Sequence, residues 1–256
     1  MSSNVQNLEH HNITIAMPNE IFHDIREWLI IGEVKSKMHQ EFIYSYYWYI
    51  TYLWRYCLYN TEEITQKTIK QALGYNPNEK RIDYIIKRNG LLDQKSYTTS
   101  TTDFAVTWSL EGNDLSFSML SDYDEVSREY LSQQITGRNV VKRPVLHVGD
   151  EGNEGIFWNS ANTHYMDFDI FQLCMSDRKL GCAGFYMYGI LKSMSDKNRY
   201  FNDDDYFNCS NETLVNVTSW DVKRIIQITN SLMDCGLIDK EQRIKVKGSV
   251  NYFGVV

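Results

Sequence analysis

Apolar residues recur at helical spacing through most of this chain, and they alternate with polar residues only in short stretches. Residues 20–31 carry the first helical pattern, and residues 42–58 carry a second that is apolar and aromatic all round. A helix that is apolar on every side is buried on more than one side, either within its own domain or against a second subunit. We therefore expect two helices here, and the aromatic one gives a reason to expect a homodimer.

The next segment predicts a helix, a turn, a second helix and a ribbon. The first helix begins near residue 61 and ends at Gly74, and the second runs from Asn78 to Asn89. Their inward positions are Ile64, Ile69, Ala72 and Leu73 in the first helix, and Ile82, Ile85 and Ile86 in the second. The Thr-rich residues 97–102 and the alternating residues 104–108 favour a two-stranded ribbon. This is the order of elements in a winged helix-turn-helix domain.

The same order returns in the last third of the sequence. Residues 184–194 predict an aromatic-rich helix, Ser210 caps a short helix, and residues 219–233 predict a longer one that leads into a ribbon. Both long helices end near similar tetrapeptides, Gly90-Leu91-Leu92-Asp93 and Gly236-Leu237-Ile238-Asp239, which indicates a divergent internal repeat.

The predicted fold class is therefore α+β, mainly helical, with tandem winged helix-turn-helix domains. We expect a flexible arm over residues 1–20, a first winged-helix domain with an extension over 21–150, and a second winged-helix domain over 151–256.

The second half also resembles a known family. The matching stretches are Tyr165 to Phe168, Gly184 to Leu191, Ser210 to Leu214, Val222 to Ile226, and Gly236 to Ile238. Together they resemble the winged-helix domains of replication initiators and replisome organisers from low-GC Gram-positive plasmids and phages. The acidic loop Asp203-Asp204-Asp205 departs from the family, which often has Pro or a polar residue there. The resemblance implies DNA binding by a tandem pair of domains, in replication or in transcription regulation.

Charge is distributed unevenly along the chain. There are 26 Lys and Arg against 33 Asp and Glu, a net charge of −7, which excludes a uniformly basic nucleic-acid coat. Residues 64–95 nevertheless carry a net charge of +4 and residues 219–249 a net charge of +2, which leaves −13 for the rest. The two positive segments coincide with the two helix-plus-ribbon segments, so we expect two basic surfaces that face DNA.

A recognition helix packs on its domain with one face and offers the other to the major groove. In the first domain this predicts DNA contacts from Lys67, Lys70, Lys80, Arg81, Tyr84, Lys87, Arg88 and Lys95, with residues 98–102 as a wing. In the second domain it predicts contacts from Lys223, Arg224, Gln227, Asn230, Arg243, Lys245 and Lys247, with Trp220 also on the outward face or packed on its own domain. The alternative is that these Lys and Arg residues only keep exposed helix faces soluble.

Other kinds of site are poorly supported. The five Cys form no C-x-x-C pair, the His residues match no H-x-x-x-H or H-E-x-x-H pattern, and no glycine-rich phosphate loop is present. We therefore expect no metal, no cofactor and no enzymatic activity. The N-terminus lacks a basic-then-apolar signal, and no stretch reaches the roughly 18 apolar residues of a membrane span, so we expect a cytoplasmic protein in a reducing compartment.

The predicted function is sequence-specific binding of double-stranded DNA, as a plasmid or phage replication initiator or a transcription regulator. The alternative is a protein-interaction module on the same scaffold, which docks on a host replication or transcription protein through its aromatic helices and does not contact DNA.

Overall fold

The computed structural model describes residues 13–60, 64–111, 114–132, 140–147, 162–202, 206–245 and 248–255. Over these residues the protein is α+β and mainly helical, with small antiparallel sheets. Contacts divide the chain into two compact units. One, here called the terminal unit, comprises residues 1–41 and 162–256, and the other, the central unit, comprises residues 42–161.

The helices are α1 (Glu20–Ile30), α2 (Lys37–Arg55), α3 (Gln66–Ala72), α4 (Asp83–Ile86), α5 (Leu91–Gln94), α6 (Glu125–Ser132), α7 (Phe168–Ser176), α8 (Gly181–Asn202), α9 (Asn211–Thr218) and α10 (Val222–Asp234). The strands are β1 (Thr14–Pro18), β2 (Thr98–Thr101), β3 (Ala105–Glu111), β4 (Asp114–Met119), β5 (Val141–Pro144), β6 (Thr163–Asp167), β7 (Tyr206–Asn208), β8 (Ile238–Lys245) and β9 (Gly248–Val255).

The terminal unit is discontinuous in sequence because β1 pairs antiparallel with β6, with Thr14 opposite Asp167 and Pro18 opposite Thr163. This differs from the expected flexible arm, of which residues 14–18 form β1. The reason is apolar alternation within that strand, since Ile15 and Met17 are both buried. The division of the chain into units therefore does not follow the expected boundaries at residues 20 and 150, and the loop around residue 150 lies outside the described residues.

The C-terminal part of the terminal unit runs α8, β7, α9, α10, β8 and β9. Its sheet is antiparallel with the order β7-β9-β8, so β9 lies between the strand that precedes α9 and the strand that follows α10. Ser210 caps α9 by accepting the backbone N–H of Thr213 at 3.0 Å, and Asp221 caps α10 by accepting that of Arg224 at 2.9 Å. The predicted long helix and C-terminal ribbon are both present.

In the central unit, the aromatic part of α2 is buried nearly all round. From Phe42 to Trp54 only Tyr49 is half-buried, and the other residues are buried. Aromatic contacts within the unit include Phe42 with Tyr75, whose ring centroids lie 4.9 Å apart, and Tyr47 with Tyr97 at 5.1 Å. The aromatic pattern is thus explained by burial in the chain itself, which removes the reason for expecting a dimer through this helix.

The expected helix over residues 78–89 does not form in the central unit. Residues 77–82 make a series of turns, α4 has four residues, and α5 begins after Gly90. The expected ribbon also pairs differently, because β2 is hydrogen-bonded to β5 and β3 forms its own hairpin with β4. Residues 98–102 are therefore not one arm of a wing with residues 104–108.

Candidate functional site

Helix α10 presents a continuous exposed face. Its apolar side is buried through Ile225, Ile228 and Leu232. Side chains at the opposite positions are exposed, namely Val222, Lys223, Ile226, Gln227 and Asn230. Among the described residues, the side chains of Lys223, Gln227 and Asn230 make no intramolecular hydrogen bond or ion pair. This face can therefore meet a partner without first breaking internal bonds.

Two aliphatic side chains interrupt the polar character of that face. Val222 is 45% exposed and Ile226 is 38% exposed. A single exposed apolar residue is ordinary on a protein surface, whereas neighbouring ones form a small patch. The two lie one helical turn apart, and Lys223 and Gln227 repeat the same spacing beside them. The α10 face is thus a mixed surface of two aliphatic and three polar side chains.

Arg224 and Trp220 do not belong to this face. The Arg224 guanidinium donates to the Glu41 carboxylate at 2.5 Å and lies over the Trp220 ring, 4.2 Å from its centroid. The outward prediction was wrong for Arg224 because a carboxylate on α2, far away in the sequence, holds it. Trp220 is only 2% exposed, so it follows the alternative in which the ring packs on its own domain.

The carboxyl group of Glu41 has an altered acidity. Burial raises the pKa of Glu41 to about 7, although the charge of Arg224 and its hydrogen bond act to lower it. Beside it, the Gln40 side-chain amide donates to the carbonyl of Thr218 at 2.7 Å. The start of α2 therefore holds both the corner before α10 and the first turn of α10 itself.

The predicted basic residues of the hairpin are only partly described. Arg243 and Lys245 lie on β8, where they are paired in register with Val250 and Gly248 of β9. Lys247 lies outside the described residues. Their contribution to a basic surface remains a prediction.

In the central unit, two of the predicted DNA-contacting residues form ion pairs within the chain. Lys70 is buried, and its ammonium group donates to the Asp83 carboxylate at 2.5 Å and to the Glu79 carbonyl at 2.6 Å. The exposed Arg81 makes two hydrogen bonds to the Glu79 carboxylate, at 2.9 and 2.8 Å. The burial of Lys70 contradicts the expectation that it is available to DNA, whereas DNA contact by Arg81, whose side chain is 83% exposed beside Glu79, stays a prediction.

The remaining predicted residues of the central unit do not share a helix face. Lys67 on α3 is exposed, as are Lys80, Lys87 and Arg88 in the turns on either side of α4. Tyr84 and Lys95 are half-buried and interact with other residues. Because the helix over residues 78–89 is absent, these four exposed cations lie on α3 and in the turns around α4, and not along one recognition helix.

Sequence reasoning missed a buried ion pair that organises this region. The Lys142 ammonium lies 2.7 Å from the Asp93 carboxylate and also donates to the carbonyl of Lys87 at 3.0 Å. Asp93 accepts further hydrogen bonds from Thr98 and Ser100. Burial raises the pKa of Asp93, but the bonds from Lys142, Thr98 and Ser100 outweigh it, so the pKa lies below its usual value. No local pattern could have revealed this pair, because its partners are separated by almost fifty residues.

Neither a cluster of potential metal ligands nor a helix suited to a bilayer occurs in the described ranges. No group of three or more His, Cys, Asp or Glu residues there could hold a metal ion. No helix among the described residues has the length and apolar character needed to cross a bilayer.

Comparison of the chain with protein-family models, curated proteins and solved structures found no match.

Proposed function

We propose that the C-terminal part of the terminal unit is a winged-helix domain that binds duplex DNA. In this proposal α10 is the recognition helix and the β8–β9 hairpin is the wing. The observation that carries it is the element order α8-β7-α9-α10-β8-β9 with sheet order β7-β9-β8, combined with the exposed face of α10. A helix that follows a short capped helix and precedes a β-hairpin is the one that such domains place in the major groove.

The side chains on that face suit the major groove. Gln227 and Asn230 carry amides, which can donate and accept together at an adenine edge, and Lys223 can bind a phosphate or a guanine. Val222 and Ile226 offer apolar contact to thymine methyl groups. Arg224 has a different role, because its pairing with Glu41 and stacking on Trp220 position α10.

The central unit contributes phosphate contacts in this proposal. Its exposed cations, Lys67, Lys80, Lys87 and Arg88, can neutralise phosphates wherever they lie, because such contacts need charge and not a fixed pattern of donors and acceptors. The protein then acts as a replication initiator or transcription regulator of the kind that the sequence resemblance implies, with binding energy and no chemistry on the DNA.

A second candidate function rests on Val222 and Ile226. Two exposed aliphatic residues one turn apart are also a suitable anchor for an apolar groove on a protein partner. In that case α10 docks on a replication or transcription protein, and Gln227 and Asn230 form the polar rim of the contact. The two functions predict a different dependence of affinity on salt and different effects of substituting individual side chains.

The decisive experiment is selection of bound fragments from a pool of random duplex DNA, followed by affinity measurements at low and moderate salt. For DNA binding we expect a recovered sequence motif and a steep fall in affinity with salt. The variant Lys223→Ala/Gln227→Ala/Asn230→Ala is expected to lose about tenfold or more in affinity for that motif, because each good base contact is worth roughly 1–3 kcal/mol.

The matched control carries Gln172→Ala and Lys179→Ala, which alter exposed residues of the same unit outside α10. It is expected to bind like the wild type. If no motif is recovered and the protein is not retained on duplex DNA at low salt, DNA binding is wrong and the docking function is favoured. A loss of the same size in the control would also contradict the role given to the α10 face.

A further inference from the structure

A cleft in the terminal unit has no lining residue on α10. Its volume is ≈ 590 Å³, and its walls come from α1, α8 and α9. Ligand pockets for small molecules are typically a few hundred to about 1,000 Å³ in volume, so the cleft has room for one. It takes no part in the DNA contacts proposed above.

The cleft has mainly apolar walls. Phe22 of α1, Ile190 and Met194 of α8, and Val217 of α9 line it. Phe22 is backed by the buried His164, whose ring stacks on it with a centroid distance of 5.1 Å. Burial lowers the pKa of His164 to about 3, so this ring is uncharged at neutral pH. The body of a ligand in the cleft would therefore be apolar.

The polar groups of the cleft favour an anion. Arg26 and His23 line it together with uncharged polar residues, and no Asp or Glu among the described residues does so. The Nε atom of Arg26 is buried and has no hydrogen-bond partner among the described residues. The Nη1 atom of Arg26 is 3.9 Å from the Glu27 carboxylate, which is too far for a hydrogen bond. The guanidinium thus lacks the close acceptor that such a group normally has.

We propose that this cleft binds a small organic carboxylate with an apolar body. The carboxylate accepts hydrogen bonds from the Arg26 guanidinium, which turns toward it and gains the partner that it lacks. The apolar body lies on Phe22, Ile190, Met194 and Val217. Inorganic anions fit this site poorly because they cannot use the apolar walls. The proposal does not depend on DNA binding.

The first test uses isothermal titration calorimetry of the full chain with benzoate, naphthalene-2-carboxylate and decanoate, which span a range of body sizes. Naphthalene-2-carboxamide serves as the uncharged analogue. We expect saturable binding of at least one carboxylate in a 1:1 complex. We also expect about tenfold weaker binding of the amide than of the naphthoate, the difference that one charge-assisted hydrogen bond provides. Binding of none of the three carboxylates, or equal binding of naphthoate and amide, overturns the proposal.

Variants then locate the site. Arg26→Gln should weaken carboxylate binding about tenfold and leave amide binding unchanged, whereas Arg178→Gln, at an exposed arginine of the same unit, should change neither. Val217→Trp should block both ligands by filling the cleft, with far-ultraviolet circular dichroism as the check on folding. Equal effects of the two arginine variants contradict the assignment.

Hydrogen exchange on the wild-type protein gives an independent measurement if Val217→Trp does not fold. A bound carboxylate should slow exchange in peptides that cover residues 190–194 and 216–217, which belong to the cleft walls. Protection elsewhere, with none in these peptides, places the ligand at another site and overturns the proposal.

Discussion

Helix α10 of the terminal unit and the α4–α5 segment of the central unit end in the same capping motif. Before that motif, α10 is continuous and the α4–α5 segment is interrupted. After α10, the N–H of Leu237 donates to the Leu232 carbonyl at 3.0 Å, and Gly236 has a φ of 70°. After α5, the N–H of Tyr97 donates to the Leu92 carbonyl at 3.0 Å, and Ser96 has a φ of 59°. Both ends are therefore the same left-handed capping motif.

This equivalence of the two helix ends changes the alignment of the internal repeat. The geometry aligns Gly236-Leu237 with Ser96-Tyr97, whereas the sequence pattern aligned it with Gly90-Leu91. In the central unit, Gly90 precedes α5 and is its N-cap. The shared tetrapeptide was therefore a misleading marker, because it starts a helix in one unit and follows one in the other.

The interruption between α4 and α5 has a local cause. Asn89 has a φ of 56°, in the left-handed region, and a Cβ atom at Gly90 would lie 2.7–2.9 Å from the carbonyl oxygens of Tyr84, Lys87 and Ile85. Only glycine fits such a close approach of backbone to backbone. The α10 sequence has no glycine inside the helix, so its 13 residues form one continuous element. One unit thus presents a helix face and the other a series of turns.

The largest expected effect tests whether the interrupted α4–α5 segment depends on the buried ion pair between Lys142 and Asp93. Lys142→Met leaves the Asp93 carboxylate, only 10% exposed, without its counter-charge. We expect a loss of about 3–5 kcal/mol in the free energy of unfolding, measured by urea denaturation. The double variant Asp93→Asn/Lys142→Met should recover most of it, and Lys87→Met, at an exposed position, should cost less than about 0.5 kcal/mol. A loss below about 1 kcal/mol for Lys142→Met contradicts the role given to the pair.

The next effect sharpens the difference in how the two units contact DNA. Replacing Lys67, Lys80, Lys87 and Arg88 by Ala should weaken binding to all duplexes alike and leave the selected motif unchanged. The slope of log affinity against log salt should fall by about 1 for each phosphate that the variant no longer neutralises. Arg81→Ala is the comparison variant, because Arg81 is paired with Glu79, and its slope should change by less than about 1. A changed motif in the fourfold variant would show base reading by the central unit.

A third effect compares the two buried carboxylates. The pKa of Glu41 is raised to about 7, whereas that of Asp93 is lowered. A carboxyl whose folded pKa is raised binds more protons in the folded state, so the stability from Glu41 is fully present below about pH 4.5 and is lost as pH rises through 7. The free energy of unfolding of Glu41→Gln, relative to that of the wild type, should therefore rise by roughly 1–3 kcal/mol between pH 5 and pH 8.

The measurement is urea denaturation of both proteins at the two pH values. His164 has the opposite trend, since its folded pKa is lowered and its neutral form is buried, so the stability that it contributes falls as the solution becomes acidic. Both proteins contain His164, so the difference between them isolates Glu41. The substitution Gln172→Ala, at an exposed position of α7 that does not titrate, should follow the wild type at both pH values. A difference between Glu41→Gln and the wild type that stays constant with pH would count against the raised pKa of Glu41 and the burial that causes it.

The smallest effect concerns the shared cap. Gly236→Ala places a Cβ in the left-handed region with no neighbouring atom within 4 Å, so backbone strain alone should cost about 1 kcal/mol. Ser96→Gly relieves the same strain in the central unit but raises the conformational entropy of the unfolded chain. We therefore expect the free energy of unfolding to change by only a few tenths of a kcal/mol. Thermal unfolding checks both. A cost for Ser96→Gly as large as that for Gly236→Ala would show that the two caps are not equivalent.

More of the secondary structure could be predicted from sequence in the terminal unit than in the central unit, because its helices follow from local caps and apolar periodicity. Ser210 caps α9 as expected, and the apolar positions of α10 recur without a break until Cys235. In the central unit the same spacing of Ile82, Ile85 and Ile86 fits both a helix and successive turns. Short side-chain contacts decide between them, such as the Asn76 side chain that accepts the N–H of Asn78 at 2.9 Å.

The candidate site could be predicted only where it depends on one helix. Periodicity places Lys223, Gln227 and Asn230 on the outward side of α10, and they are exposed there. The same periodicity gave Arg224 the same side, but Glu41 lies more than 180 residues away in the sequence and binds it. Neutralisation of Lys70 by Asp83 follows the same logic. Charge counts along a segment show where cations are, and only the folded chain shows which of them have partners.

The pairing of β1 with β6 has a consequence for synthesis on the ribosome. Thr14 meets Asp167, so the first strand waits until some 150 further residues have been translated before it finds its neighbour. Throughout that interval Phe22, on the apolar side of α1 with Ile21 and Ile25, lacks the ring of Tyr186 on α8, which lies 5.8 Å from it in the folded unit. We therefore expect the terminal unit to complete its fold only after the central unit has been translated.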